Sequence, residues 1–130
     1  MYTAVVLDEE SREKIIKVFS PIVPDDWEII AHHMTINMGK IEKGPIANRT
    51  EMPRKYLGAT ALMTVVGLAQ NDKVIAVEVE SSIPSKNLNP HITIAVNRSA
   101  GGKPSMSNKL KTFTTIKDIF IVFGTIQEIG

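Results

Sequence analysis

Cysteine is missing from this chain. That absence excludes disulfides, thiolate catalysis and cysteine-based zinc or iron–sulfur sites, and it fits a reducing compartment. No apolar run approaches the roughly 18 residues that a membrane-spanning helix needs. The opening MYTAVVLDEE has neither the basic start nor the small-residue cleavage pattern of a secretory signal. A cytoplasmic location with no membrane partner is therefore expected. Histidine is scarce as well, at 3 in 130 residues, so where those three stand carries information.

Charge of one sign is also lacking, because the net charge is only +1. This excludes a protein that holds long polyanions by bulk charge. The local distribution is less even. Residues 1–30 carry Asp8, Glu9, Glu10, Glu13, Asp25, Asp26 and Glu28 against Arg12, Lys14 and Lys17. Residues 91–117 carry Arg98, Lys103, Lys109, Lys111 and Lys117 with no acid, and residues 40–55 carry Lys40, Lys43, Arg49, Arg54 and Lys55 against Glu42 and Glu51. Such patches suit an anionic ligand of modest size, and equally suit solvated basic loops. With 43% hydrophobic and 22% charged residues, the composition is that of one globular domain spanning residues 1–130.

Along the chain, Tyr2–Leu7 reads as a strand that stops at Asp8, a favourable helix N-cap. Glu9, Glu10 and Glu13 then complement the positive end of a helix. Its apolar face would hold Ile15, Val18 and Phe19, and it should end near Ser20, before Pro21 and Pro24. Strands are expected over 27–30, His33–Met38, 60–69, 73–80, His91–Val96 and 119–129, with Gly124 as a possible bulge. Asn71-Asp72 reads as a hairpin turn. Loops are expected over 39–53, 81–90 and 99–111, the last with a short helix near 107–110. Trp27 reads as a core residue. The fold class is α+β with antiparallel sheet.

One internal echo stands out: His33-Met34-Thr35-Ile36 and His91-Ile92-Thr93-Ile94 share the pattern His, apolar, Thr, apolar. Side chains alternate across a strand, so each copy buries its apolar pair and presents an imidazole beside a hydroxyl. If the two strands are neighbours, two histidines and two threonines converge on one cleft. Phosphodiester cleavage uses such a set: one imidazole takes a proton from the attacking oxygen and the other gives one to the leaving oxygen. The hydroxyls hold the non-bridging oxygens. The scheme needs no metal and no cofactor. A lone His-x-Thr on a strand means little; two copies are harder to dismiss as packing.

His32 should face away from His33 on a regular strand, as a structural or partly exposed residue. A zinc site built from His32, His33 and His91 is not expected, because adjacent strand residues diverge. The segment Gly101-Gly102-Lys103-Pro104-Ser105-Met106-Ser107-Asn108 is glycine-rich and basic but lacks the P-loop spacing. It reads either as a mobile turn or as a rim that brings Lys103 to substrate. Tyr2 is either a packing residue or a stacking surface for a base.

The twin tetrads resemble those of the two-histidine (2H, LigT-like) phosphoesterase superfamily. YTAVVLDEESREK, AHHMTINMG, NPHITIAVN and GGKPSMSN look like its small branch related to tRNA-ligase cyclic phosphodiesterase domains. The resemblance implies a bilobal, pseudo-symmetric α+β fold with two antiparallel sheets flanking a cleft. It implies that His33 and His91 are catalytic and that Thr35 and Thr93 bind the phosphate. It also implies a substrate that is an RNA 3′ end or small nucleotide bearing a 2′,3′-cyclic phosphate, opened to a monoester. Phage nucleases that cut cyclic oligonucleotide signals belong to the same superfamily and supply an alternative. A module that binds nucleotides without turnover is a second alternative, although binding alone does not require two proton-transfer groups.

Overall fold

Asp8 ends the first strand, β1 (Tyr2–Leu7), and starts the helix α1 (Glu9–Phe19). Its carboxylate accepts a hydrogen bond from the Ser11 amide at 2.7 Å, satisfying one of the free N–H groups of the first turn. Ser11, Ile15 and Phe19 form the buried stripe. Val18 is exposed, so the apolar face is narrower than the spacing implied. Ser20 caps the helix and Pro21 turns the chain away within a short 3-10 turn, Ser20–Ile22. A computed structural model describes residues 1–43 and 53–130. Most of the loop expected over 39–53, with Arg49 and Glu51, lies outside the described residues.

The remaining strands are β2 (Glu28–Ile29), β3 (His33–Met38), β4 (Thr60–Gln70), β5 (Val74–Ser81), β6 (His91–Val96) and β7 (Thr114–Ile129). The β4–β5 hairpin turns where expected. The Asn71 side chain accepts from the amides of Lys73 and Val74 at 2.8 and 3.0 Å, as an Asx turn does. β7 begins five residues earlier than the apolar pattern indicates. Pairing is antiparallel throughout, in the order β6-β3-β1-β7-β4-β5, and β5 pairs back onto β6. β2 lies on β6 beyond β3.

The class is thus α+β, but hydrogen bonding runs round one closed sheet rather than two facing sheets. The physical reason lies in β7 and in the ladder irregularities. β7 pairs with β4 along its first part and with β1 through residues 124–129. Register shifts at Val65/Gly67 in β4, at Ile75/Ala76 in β5 and at Thr3/Ala4 in β1 bend the ladder. Bulges of this kind sharpen twist and carry a sheet around a corner. Gly124 is not a bulge, since it pairs regularly with both Leu7 and Ala61. It permits close approach: a Cβ there would lie 2.6 Å from the Val6 carbonyl oxygen and 2.7 Å from Val5 Cγ1.

Val5, Met34, Ile36, Met63, Val65, Val77, Ile92, Ile94 and Val122 are fully buried and belong to one core with Ile15 and Phe19 of α1. Each such side chain contributes about 1.5–3 kcal/mol relative to exposure. Trp27 packs against this core as a partly buried residue, as its surroundings indicate. No described helix is long and apolar enough to cross a membrane.

Candidate active site

β3 and β6 are neighbours, and Met34 stands opposite Ile92 in their antiparallel ladder. Both residues, with Ile36 and Ile94, point into the core. Alternation therefore turns His33, Thr35, His91 and Thr93 to the other side, where all four line one cleft of about 310 Å³. Tyr2 joins them from β1, its ring centroid 5.0 Å from that of His33. Met38 joins because the register shift between β1 and β3 leaves Ile36 unpaired and flips the alternation beyond it. Met38 then pairs with Tyr2, and the two form a partly exposed apolar lip.

Two loops complete the walls. β3 runs past the start of β6, and residues 81–90 take up the edge so exposed. Ser85 Oγ donates to the Thr35 carbonyl at 2.7 Å, and the Lys86 amide donates to that of Ile36 at 2.7 Å. This brings Lys86 into the lining. On the other side, a 3-10 turn, Pro104–Lys109, lies over β6. Buried Ser107 holds it there through a hydrogen bond with the Thr93 hydroxyl at 2.8 Å, which supplies Pro104, Ser105 and Asn108 to the lining. Among the described residues, no hydrogen bond occupies the Thr35 hydroxyl.

The glycines before this turn serve packing rather than phosphate binding. Gly101 adopts φ +81, and Gly102 is wedged where a Cβ would lie 2.7 Å from the Asn97 carbonyl oxygen and closer still to that of Lys73. Lys103 is exposed and does not line the cleft. It precedes Pro104 in extended conformation, and the turn presents the residues after it instead. Among the described residues, Lys86 is the charged lining residue in its place, and no carboxylate lines the cleft. The basic excess noted elsewhere is partly answered: Arg54 pairs with Glu42 and Glu128, and Arg98 with Glu28.

The two imidazoles differ in their supports. His91 Nδ1 lies 2.8 Å from the Asn89 carbonyl oxygen. A carbonyl only accepts, so Nδ1 carries the proton and Nε2 is left to work on a ligand. Burial lowers the His91 pKa; the Asn89 carbonyl and the Asn108 side chain oppose this by favouring the cation, and nearby Lys86 adds to the lowering. His33 is pushed down to about 4, first by burial and then by the neighbouring charges of His32 and His91.

His32 is not on the opposite face. Ala31 adopts φ +40 while its amide and that of Ile30 still bond to the Thr93 and Ile94 carbonyls of β6. This left-handed residue breaks the alternation between β2 and β3. The His32 ring is thereby set edge-on to His33, with their Nδ1 atoms 2.8 Å apart. His32, Lys86 and Met38 are the site residues that sequence reasoning missed, whereas Pro104, Ser105 and Asn108 come from the 101–108 segment read as a possible rim. The spacing of Lys86 from the tetrads gave no signal, because a loop brings it in.

A second hollow of about 440 Å³ adjoins the first, sharing His91 and Asn108 and adding Asn87, Leu88, Asn89, Leu110 and Lys111. Leu88 is 95% exposed at its mouth. Among the described residues, no three His, Asp or Glu side chains gather as a metal site would require. No protein-family model matches the chain, and comparison with curated proteins and with solved structures finds no significant match.

Proposed function

We propose that the protein is a metal-independent phosphodiesterase of the two-histidine superfamily, hydrolysing a cyclic phosphate on an RNA end or small nucleotide. The observation that carries this reading is the convergence of both His-x-Thr pairs on one cleft from adjacent strands. Lys86, in a lining that among the described residues holds no carboxylate, favours an anion there. Tyr2 and Met38 offer an apolar surface of the kind on which a base stacks.

The unequal imidazoles supply an assignment of roles. His33, neutral near pH 7, is the base: its Nε2 takes a proton from water as the water oxygen attacks phosphorus. The bond from phosphorus to one ribose oxygen breaks, and His91, which enters the step as the imidazolium with Nδ1–H on the Asn89 carbonyl, gives its Nε2 proton to that oxygen. One water is consumed and a cyclic diester becomes a monoester. The Thr35 hydroxyl donates to a non-bridging oxygen, which gains charge in the transition state; Thr93, whose hydroxyl donates to Ser107 Oγ, does the same once Ser107 turns to donate to it.

The second hollow favours a further reading, that the substrate is a cyclic oligonucleotide. A group beyond His91 would be the leaving nucleoside of an internal diester, with Leu88 and Leu110 against its base and Lys111 near the next phosphate. A panel of 2′,3′-cyclic mononucleotides, RNA ends and cyclic dinucleotides, with products identified by mass spectrometry, tests both readings. Turnover of any member at rates that vanish in His91→Ala supports a phosphodiesterase, and preference for the cyclic dinucleotide selects the second reading. Nucleotide binding without turnover across the panel would overturn both in favour of a binding module.

A further inference from the structure

Between two imidazole Nδ1 atoms 2.8 Å apart only one proton fits. One ring must donate and the other accept, so the tautomers of His32 and His33 are tied in opposite senses. His91 has no such freedom, because its Nδ1 meets a carbonyl. A solitary neutral histidine favours its proton on Nε2, which would leave His33 with no lone pair facing the cleft. Only a partner that accepts from Nδ1–H reverses that preference.

We propose that His32 is a positioning residue that accepts the Nδ1 proton of His33 and so holds the His33 Nε2 lone pair ready for substrate. The inference rests on the phosphodiesterase reading of this cleft. Its geometry comes from the left-handed Ala31 and is fastened from β1, where the Leu7 amide donates to the His32 carbonyl at 2.9 Å. His32 is exposed while His33 is half-buried, and of the two rings it is His33 that lines the cleft. The other groups facing His33 are the His91 imidazole from β6, the Lys86 ammonium from the 81–90 loop and the Tyr2 hydroxyl from β1. The Arg12 guanidinium of α1 reaches only the Ile30 carbonyl, at 3.4 Å.

The test has an arm that does not depend on turnover. Nitrogen NMR of the histidine rings at neutral pH should find His33 protonated at Nδ1 and His32 at Nε2. In His32→Ala, the His33 proton should move to Nε2. With 2′,3′-cyclic AMP as substrate, His32→Ala should lower kcat about 10–100-fold, the range for removing a partner that orients a working histidine, with KM little changed. His32→Asn, whose amide oxygen still accepts from His33 Nδ1–H, should recover much of kcat. A His33 tautomer that is the same in wild type and His32→Ala would overturn the inference, as would an active wild type whose kcat His32→Ala leaves unchanged. Failure of the wild type to turn over any nucleotide would instead overturn the phosphodiesterase reading and leave the NMR arm to decide the role of His32.

Discussion

Met34 and Ile92 face each other across the β3–β6 ladder, and that one pairing sets the orientation of both tetrads. Because the strands are antiparallel, His33 lies toward Thr93 and Thr35 toward His91. The two imidazoles come from opposite ends of the shared interval, with a hydroxyl beside each. A phosphorus atom held between the threonines would have an imidazole on either side, as in-line displacement requires.

His33→Ala and His91→Ala are each expected to lower turnover of a 2′,3′-cyclic nucleotide by about 10²–10⁴-fold. The double variant should be little worse than either single, since the two act as a unit. Thr35→Val should cost about 10–10³-fold, the loss of one hydrogen bond to a developing charge. Thr93→Val should cost at least as much, because its hydroxyl also anchors Ser107. Steady-state rates with circular dichroism as a folding check decide this, and retained activity in both folded histidine variants would remove the proposed pair.

Turnover should follow a bell-shaped pH profile, because one imidazole must be neutral and the other charged. Activity should also persist in excess EDTA. Loss with EDTA that is restored by zinc or manganese would contradict the acid–base scheme, as would a flat profile with chemistry shown to be rate-limiting.

Stability should depend on pH through the same groups. An unfolded histidine takes up its proton near pH 6.5, but folded His33 does so only near 4. Between those values the unfolded chain binds more protons, so stability falls as pH is lowered through that window. The slope is at most about 1.4 kcal/mol per pH unit for one group. Glu128, held below its usual range by the Ile41 amide and Arg54, adds its loss at lower pH still. Thermal melts from pH 7 to 4 should show a falling Tm, and His33→Gln should flatten it. An equal slope in that variant would contradict the prediction.

Gly102→Ala is expected to destabilise the fold by about 1–3 kcal/mol through overpacking, since the new methyl meets backbone rather than a flexible side chain. It should also raise KM, because the turn carrying Ser105 and Asn108 follows directly. Unchanged Tm and KM would show that the turn is held by other means.

The alternation of each tetrad was legible from residue type alone: Met34, Ile36, Ile92 and Ile94 are buried on one side, and the histidines and threonines line the other. The Asp8 cap and the Asn71 turn were equally local, and local chemistry decides them. What depended on distant contacts was hidden. Closure of the sheet hangs on β5 meeting β6 and on the bend of β7, which no apolar period encodes. Lys103 read as the cation of the site because it neighbours glycines, but the backbone places Lys86 there through bonds to β3. His32 was misjudged because regular alternation was assumed across Ala31, and an alanine gives no warning of a positive φ.

The place of β7 between β1 and β4 also sets an order of events. β3 and β6 can find one another as soon as residue 96 has been made, so the tetrads can be assembled early. Until residues 114–129 follow, β1 and β4 each keep an edge without its final neighbour, and open edges invite pairing with other chains. Nascent chains halted before β7 should therefore associate with one another, even though their chemistry-bearing strands are already complete.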